Sequence, residues 1–401
     1  MMNFVDESYD IVIVGAGPAG SAAAMAGARA GLKVLMIEKR AEVGCPKRCG
    51  EGLSIHGLQR MGIEKDERWI NRHITGTTVY APNGKAVKVP FEAGEYEGWI
   101  IERKIFDKML ADMAADAGAK ILTKTECMGL IKNESGRANG VRLGFNGERW
   151  DVGAKVVIAA DGVESCIARE AGIDTKNKPV DFAAGVQFEM SNIDIDPDVI
   201  ELYFGAEIAP GGYVWCFPKG ERRANVGIGV RKPWAKKSAI EYLKDFINSR
   251  PGLKKGSIIE VNAGGIPVGG LLDDMVLDNF MVVGDAAHQV NAIHGGGIAE
   301  AFVSGRIAGE VAAKSIKAGD TSKSALSEYN DRWYEERGNR LKKLIKLREV
   351  VERLSDDDLN YLAEELEGTD LVGFANARGF AKLAKVLMKK PRLLLLGRNL
   401  L

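Results

Sequence analysis

The start of the chain carries two short apolar runs separated by a helical pattern. The runs are residues 9–14 and 33–38, and residues 21–30 between them are rich in alanine. A glycine-rich turn at residues 15–20 joins the first run to the alanine-rich stretch. This order predicts a strand, a tight turn, a helix and a second, parallel strand, which together form one βαβ unit.

The next elements are predicted from turn residues and from the spacing of apolar positions. Asn83-Gly84 is a strong turn signal and predicts a hairpin over residues 76–89. Residues 103–118 predict an amphipathic helix, and residues 120–128, 140–145 and 155–160 predict strands. The apolar face of that helix would consist of Ile105, Phe106, Met109, Leu110 and Met113.

A different pattern begins near residue 182. Apolar and polar side chains alternate over residues 182–190, 199–204, 213–217 and 224–230, which predicts an inserted antiparallel sheet. The pattern of a buried strand returns at residues 280–284, and the chain from residue 325 onward is mostly helical.

The turn after the first strand has the spacing of a phosphate-binding loop. Gly15 permits the tight turn, Gly17 lets the backbone approach a pyrophosphate, and Gly20 allows close packing of helix on strand. The unpaired N–H groups and the dipole of the following helix favour the anion. Glu38 ends the second strand, where a carboxylate binds a ribose hydroxyl. The unit therefore predicts a dinucleotide site.

Two later motifs resemble those of the flavoprotein hydroxylase superfamily. Residues 156–165 contain Asp161-Gly162, and residues 280–288 contain Gly284-Asp285. The resemblance implies FAD, with Asp285 at the ribityl chain and the helix that starts at residues 295–298 directed at the flavin, where its amides stabilise negative charge. Arg103 stands where the superfamily has an arginine near the cofactor.

Two more segments resemble the geranylgeranyl reductase family. Residues 45–52 read Cys-Pro-Lys-Arg-Cys-Gly-Glu-Gly, and residues 210–218 are similar to the signature Pro-x-x-Tyr-x-Trp-x-Phe-Pro. The resemblance extends over nearly the whole chain and is greatest to the archaeal members that saturate membrane ether lipids. It implies an FAD-dependent reductase of geranylgeranyl phospholipids. It also implies that the FAD is lined by Ala19, Glu38, Cys49, Gly50, Gly52, Arg103, Cys127, Asp285, Gly297 and Ile298, in addition to the motif residues Gly15, Gly17, Gly20 and Asp161.

Together these features predict an α/β chain with a Rossmann-type FAD-binding fold, an inserted antiparallel β-sheet substrate domain and a helical C-terminal region. The FAD-binding domain would be discontinuous, over residues 1–75, 100–180 and 265–320. The substrate domain would comprise residues 76–99 and 181–264. Residues 321–401 would form the helical region with its basic tail.

The candidate catalytic residues are Cys49, Tyr213 and Trp215. Tyr213, Trp215 and Phe217 alternate on one strand, so they share a face whose rings can stabilise a developing cation. Cys49 would donate a proton to the alkene, directly or through water, with Arg48 lowering its pKa. The alternatives are ordinary packing for Trp215 and an inert thiol for Cys49.

Composition limits the remaining function classes. The 55 basic and 55 acidic residues balance, which argues against a nucleic-acid partner. No apolar stretch is long enough to span a bilayer, and the acidic start does not resemble a signal peptide. Five scattered cysteines argue against both a disulfide scaffold and a metal site, so a cytoplasmic protein is expected.

The end of the chain predicts contact with a membrane surface. Residues 371–401 contain seven basic side chains and no acidic one. Apolar positions lie at helical spacing between the basic residues. In the alternative interpretation the basic face pairs with the acid-rich residues 349–370. A second basic run, residues 337–348, would receive the substrate phosphate.

Three other functions remain open at this point. An aromatic-ring hydroxylase shares the scaffold but needs O₂ and a polar pocket. A prenyl-lipid carrier would have lost flavin binding, which the retained Gly15, Glu38 and Asp285 argue against. Another prenyl group, such as a chlorophyll side chain or a quinone tail, would suit the same site. The electron donor would be ferredoxin or NAD(P)H.

Overall fold

The computed structural model describes residues 6–91, 97–398 and 400. In this part of the chain the strands are β1 Ser8–Val14, β2 Val34–Ile37, β3 Gly52–Ser54, β4 Ile70–Ile74, β5 Gly76–Tyr80, β6 Ala86–Pro90, β7 Gly98–Ile101, β8 Lys120–Leu122, β9 Glu126–Lys132, β10 Ala138–Phe145, β11 Glu148–Ala159, β12 Phe182–Ser191, β13 Val199–Tyr203, β14 Tyr213–Gly220, β15 Arg223–Arg231, β16 Ser257–Pro267, β17 Val276–Leu277 and β18 Phe280–Val282. The α-helices are α1 Pro18–Arg29, α2 Ile55–Met61, α3 Arg103–Asp116, α4 Cys166–Ala171, α5 Ala239–Asn248, α6 Pro251–Lys254, α7 Ile298–Ala318, α8 Lys323–Leu326, α9 Glu328–Trp333, α10 Asn339–Val351, α11 Asp356–Glu365, α12 Gly368–Ala375, α13 Phe380–Met388 and α14 Leu394–Arg398.

The predicted βαβ unit forms the centre of the first sheet. Its strands have the order β17-β18-β11-β1-β2-β8, and β1 pairs in parallel with both β2 and β11. The middle of β1 is inaccessible to solvent, as expected for a strand covered on both faces. Helix α7 packs on α1, because Gly305 brings its backbone against Ala19: a Cβ there would lie 1.9 Å from the Ala19 carbonyl oxygen.

The second sheet has the order β16-β12-β15-β14-β13-β5-β6. The alternating segments predicted as strands are confirmed in it, and so is the hairpin formed by β5 and β6. Its pairs are antiparallel except for β13 and β5, which run parallel. One face of the sheet packs against α5 and forms a second core, to which β14 contributes Val214 and Cys216. The opposite face of β14 is thereby left for the predicted functional side chains.

Two predictions about local structure were wrong, and one strand was not predicted. Residues 120–128 are not one strand, since the chain turns at Lys124 (φ +54°) between β8 in the first sheet and β9, which pairs only with β10. Ile105 on α3 is 43% exposed, whereas Phe106 and Leu110 face the core as predicted. Strand β16 was missed, because its consecutive Ile258 and Ile259 do not show the alternation of a half-buried strand.

The C-terminal region is helical, as predicted. Buried Tyr329 and Trp333 fix α9 to the first sheet, and the Tyr329 hydroxyl donates to the Val282 carbonyl at 3.1 Å. Leu341, Leu344 and Leu347 place α10 in the same core. No helix in the described part of the chain is long and apolar enough to cross a membrane.

Candidate functional site

The glycine-rich turn between β1 and α1 is shaped by contacts with its own backbone. Gly15 has φ +108°, and a Cβ on it would lie 2.3 Å from the Ala160 carbonyl oxygen. A Cβ on Gly20 would lie 1.8 Å from the Gly15 carbonyl oxygen. A Cβ on Gly17, in contrast, would meet nothing within 4 Å. The turn therefore requires Gly15 and Gly20 for its own fold and leaves open space at Gly17, as a bound pyrophosphate needs.

Glu38 is held at the end of β2. Its carboxylate accepts the Ala16 amide at 3.1 Å and the Arg40 amide at 2.9 Å. The acid is thus attached to the same turn as the glycines, where it can accept a hydrogen bond from a ribose hydroxyl next to the pyrophosphate.

Asp161 and Cys127 lie on the other side of this turn. The Asp161 side chain accepts the Ile167 amide through Oδ2, but its buried Oδ1 has no partner in the described part of the chain. Burial raises the pKa of Asp161, and it raises the pKa of neighbouring Cys127 to about 12. An unsatisfied acceptor in a dinucleotide cradle is a place for a hydroxyl donor from the ligand. The residues present therefore fit FAD.

The Gly-Asp turn reaches the same cradle from the third motif. Gly284 packs on Ala19 at the start of α1, where a Cβ would lie 3.0 Å from the Ala19 Cβ. The Asp285 carboxylate faces Gly297, the residue before α7, and no side chain caps this helix start at Ile298. Burial raises the pKa of Asp285, and the positive charge of Arg103 opposes the rise.

Arg103 connects the cofactor cradle to Cys49. Its guanidinium donates two hydrogen bonds to Asp107, at 2.8 and 2.7 Å, and is within hydrogen-bonding reach of the Cys49 thiol. Burial lowers the pKa of Arg103, but these two neighbours outweigh it and raise that pKa. The Cys49 sulfur also accepts the Glu51 amide at 3.2 Å.

The expected role of Arg48 needs correction. Its guanidinium forms an ion pair with Glu164 at the surface. Arg103, 54 positions further along the chain, is the cation next to the thiol. Cys45 and Cys49 are free thiols.

The aromatic side chains of β14 share one face, as their alternation predicts. Ring centroids of Tyr213 and Trp215 are 6.0 Å apart, and those of Trp215 and Phe217 are 6.4 Å apart. Phe217 packs over the Cys49 loop, since a Cβ on Gly50 would lie 2.8 Å from its ring and one on Gly52 3.4 Å. The structure therefore brings the three candidate catalytic residues to one location.

Three titratable groups in this region have shifted pKa values. Tyr213 and Asp285 are half-buried, and the His294 side chain is exposed. Desolvation by the surrounding protein nevertheless raises the pKa of Tyr213 and of Asp285, and it lowers the pKa of His294 to about 4. The Tyr213 hydroxyl donates to the His294 carbonyl at 2.7 Å, so the aromatic face of β14 contacts the loop that carries His294.

Gln187 was not anticipated from the sequence. Its amide oxygen accepts the Trp215 indole N–H at 2.8 Å, and its amide nitrogen donates to the Cys49 carbonyl at 3.1 Å. It thereby fixes the indole relative to the Cys49 loop. The available signal was two polar residues, Gln187 and Glu189, at alternate positions of a strand predicted to be half-buried.

A buried network of charges supports the Cys49 loop. The Lys219 ammonium group, whose side chain is 0% exposed, donates to Glu51 at 2.7 Å, Glu102 at 2.9 Å and Glu189 at 3.2 Å. Lys47 contacts Glu51 and Glu189 from the other side. Asn225 donates to Glu51 at 2.8 Å. This buried ion cluster, Lys47, Glu51, Glu102, Glu189 and Lys219, joins two strands of the second sheet to the Cys49 loop and to the residue before α3.

Comparisons with known proteins identify the family. Residues 181–266 match the model described as the geranylgeranyl reductase catalytic domain, and residues 9–57 match that of pyridine nucleotide-disulphide oxidoreductases. Digeranylgeranylglycerophospholipid reductase 2 of Methanopyrus kandleri is 42% identical over 399 residues, covering 98% of this chain and 99% of that protein. The corresponding reductase of Methanocaldococcus jannaschii is 44% identical over 404 residues and 100% of both chains. The chain belongs to the digeranylgeranylglycerophospholipid reductase family.

Solved structures agree with this assignment. A geranylgeranyl bacteriochlorophyll reductase-like protein from Thermoplasma acidophilum superimposes with a TM-score of 0.89 at 38% identity, covering 98% of this chain and 100% of that one. A flavin-dependent brominase superimposes with a TM-score of 0.70 at 20% identity and shows the fold alone. The chain is an FAD-dependent oxidoreductase, and the predicted fold class, cofactor and family are confirmed.

Proposed function

We propose that this protein saturates isolated C=C bonds in the geranylgeranyl chains of an archaeal-type ether phospholipid. The observation that carries the proposal is the convergence of Cys49, Arg103 and the aromatic face of β14 next to the FAD cradle. A trisubstituted alkene offers no polar handle near the reacting carbons, so an apolar aromatic wall with few polar groups suits it.

Bound FAD, once reduced, supplies a hydride. The chain's own residues supply the rest of the chemistry. Cys49 donates the proton, and Arg103 stabilises the thiolate that remains. The rings of Tyr213 and Trp215 stabilise positive charge on the carbon skeleton through their faces.

Anaerobic reaction of the reduced holoenzyme tests the proposal. When a geranylgeranyl phospholipid is added without O₂, we expect the absorbance of oxidised flavin to return in proportion to the double bonds saturated. A saturated analogue of the same lipid is the control and should leave the flavin reduced. Reoxidation that requires O₂ would instead indicate a hydroxylase and would contradict the proposal.

The electrons come, we propose, from ferredoxin or NAD(P)H. The Gly-rich dinucleotide turn in residues 9–57 would bind FAD and would therefore not be free for a nicotinamide. A nicotinamide would have to react by transient contact with the flavin. Anaerobic mixing of oxidised holoenzyme with reduced ferredoxin, NADH or NADPH distinguishes the donors. The physiological one should reduce the flavin faster than the lipid reoxidises it.

We also propose peripheral contact with a membrane surface, in a form more limited than the sequence suggested. Leu383 and Leu387 of α13 are buried in the core rather than free. Lys382, Lys389 and Arg392 pair with Asp370, Glu365 and Asp358, which is the alternative interpretation of the tail. Lys385, Leu395 (70% exposed) and Arg398 are left at the surface.

Vesicle sedimentation tests this contact. The holoenzyme should pellet with anionic lipid vesicles and less with neutral ones, and the double variant Lys385→Gln, Leu395→Asn should pellet less with the anionic vesicles. Equal sedimentation of variant and parent would remove these residues from the contact.

A further inference from the structure

Four arginines from separate elements meet beside the loop that carries His294. They are Arg60 on α2, Arg337 in the π-helical turn Tyr334–Gly338, Arg340 on α10 and Arg378 after α12. Burial together with the charges of Arg337 and Arg340 lowers the pKa of Arg60 to about 10. Burial together with Arg337 and Arg378 lowers the pKa of Arg340. These guanidinium groups are therefore close enough to repel one another.

The cluster contains fewer carboxylates than guanidinium groups. Glu300 acts on both Arg60 and Arg340. It is held by Arg337, whose Nε donates to it at 2.6 Å, and Glu336 also acts on Arg337. Arg340 donates to the neutral Asn376 side chain. The Nε atoms of Arg60 and Arg340 are buried and have no hydrogen-bond partner in the described part of the chain.

This arrangement has the properties of an anion site. Partly buried like charges destabilise a fold unless an opposite charge binds them, and an unsatisfied buried donor adds a further cost. Guanidinium groups present N–H donors in a planar fork that matches phosphate oxygens. His294 contributes no charge at neutral pH, because burial lowers its pKa to about 4.

The cluster is adjacent to the aromatic face of β14. The His294 ring interacts with Arg60, Arg340 and Glu300, and its backbone carbonyl accepts the Tyr213 hydroxyl at 2.7 Å. His294 thus lies between the arginines and the aromatic face of β14. An amphiphile with a phosphate on the arginines would extend its apolar chain toward Tyr213 and Trp215.

We propose that Arg60, Arg340 and Arg378 form the binding site for the phosphate group of the lipid substrate. The site rests on the proposed function and names the part of the molecule that orients the lipid. Arg337 positions the others through its ion pair with Glu300 rather than serving as a free ligand. The phosphate would accept hydrogen bonds from the accessible N–H groups of half-buried Arg60 and Arg340 and of exposed Arg378.

Kinetics with a charged and an uncharged lipid test the site. The probes are geranylgeranyl monophosphate and geranylgeraniol, and the variants are Arg60→Met and Arg340→Met, which leave the buried Arg337–Glu300 pair intact. We expect KM for the monophosphate to rise about tenfold or more, because a charge-assisted hydrogen bond is lost, with kcat unchanged. KM for geranylgeraniol should stay within about twofold. Arg149→Met, at an exposed arginine of β11, is the matched control and should change neither.

Equal loss with both lipids, or no loss with either, would overturn the proposal. Equilibrium binding of the monophosphate to oxidised holoenzyme separates this site from the proposed reaction, since it needs no turnover. Selective weakening of that binding in the variants would support the site even if no double bond were reduced. Competition by inorganic phosphate or glycerol 1-phosphate at the affinity of the lipid would overturn the lipid assignment in favour of a free-phosphate site.

Discussion

Cys49 has two polar contacts of different kinds. A backbone amide and the Arg103 guanidinium both approach its sulfur. These contacts hold the sulfur in the place where the proposed reaction needs a proton donor.

We therefore predict that Cys49→Ala lowers turnover by about 100-fold or more, the usual contribution of a general acid. FAD content should hold, because the turn at Gly17 and the acid Glu38 are untouched. Cys166→Ala, at an exposed thiol, is the control and should leave turnover unchanged. Full activity of the Cys49 variant would remove it as the proton source.

Glu51 determines where Cys49 and Arg103 stand. It lies in the left-handed region (φ +74°), and its carboxylate accepts the Arg103 amide at 2.8 Å in addition to Lys219 and Asn225. The residue two positions after Cys49 is thus fixed by three elements at once, α3, β14 and β15.

Glu51→Gln should destabilise the holoenzyme by about 3 kcal/mol, since it leaves two buried lysines short of a charge. Turnover of the folded fraction should also fall. Glu260→Gln removes a 3.2 Å contact to Lys47 from a carboxylate that is 40% exposed, and it should cost under about 1 kcal/mol. Denaturant unfolding measures both, and equal costs would contradict the assigned role of Glu51.

At the scale of elements, the turn between β1 and α1 contains one glycine needed for cofactor binding, Gly17, and another needed for folding, Gly20. Gly17→Ala places a methyl group in open space, so the chain should fold while FAD occupancy falls. Gly20→Ala drives a methyl group into the Gly15 carbonyl and should abolish folding. Circular dichroism with flavin absorbance distinguishes these outcomes. A yellow, fully loaded Gly17→Ala protein would contradict the placement of the pyrophosphate.

The sequence predicted those elements whose signals are local. Turn glycines, the alternation on β14 and the Asn83-Gly84 hairpin depend on neighbours along the chain, and all were found. Strand β16 escaped because Ile258 and Ile259 are exposed near an edge. Arg103 next to Cys49 and Lys219 next to Glu51 could not be derived from spacing, because folding alone brings residues 54 and 168 positions apart together.

At the scale of the whole molecule, the buried ion cluster connects the second sheet to the Cys49 loop. Glu189 lies on β12, Lys219 on β14, and Glu102 follows β7. Burial alone would raise the pKa of Glu102 and of Glu189. Lys219 outweighs burial at Glu102, and Lys47 together with Lys219 outweighs it at Glu189, so both pKa values fall below 4.5.

This predicts how acid affects stability. A carboxyl with a lowered pKa in the folded state stabilises the protein above pH 4.5, and that contribution is lost as the pH falls further. The loss amounts to at most about 1.4 kcal/mol per pH unit for each proton. Glu189→Gln should show a shallower decline in unfolding free energy below pH 4.5. An unchanged slope would mean that Glu189 does not titrate in this way.

Mass spectrometry of a geranylgeranyl phospholipid incubated with dithionite-reduced holoenzyme tests the proposed reduction directly. We predict mass gains in steps of one hydrogen molecule, one step for each double bond saturated. Lipid that binds to the reduced, flavin-loaded protein and is recovered at its original mass would contradict the account.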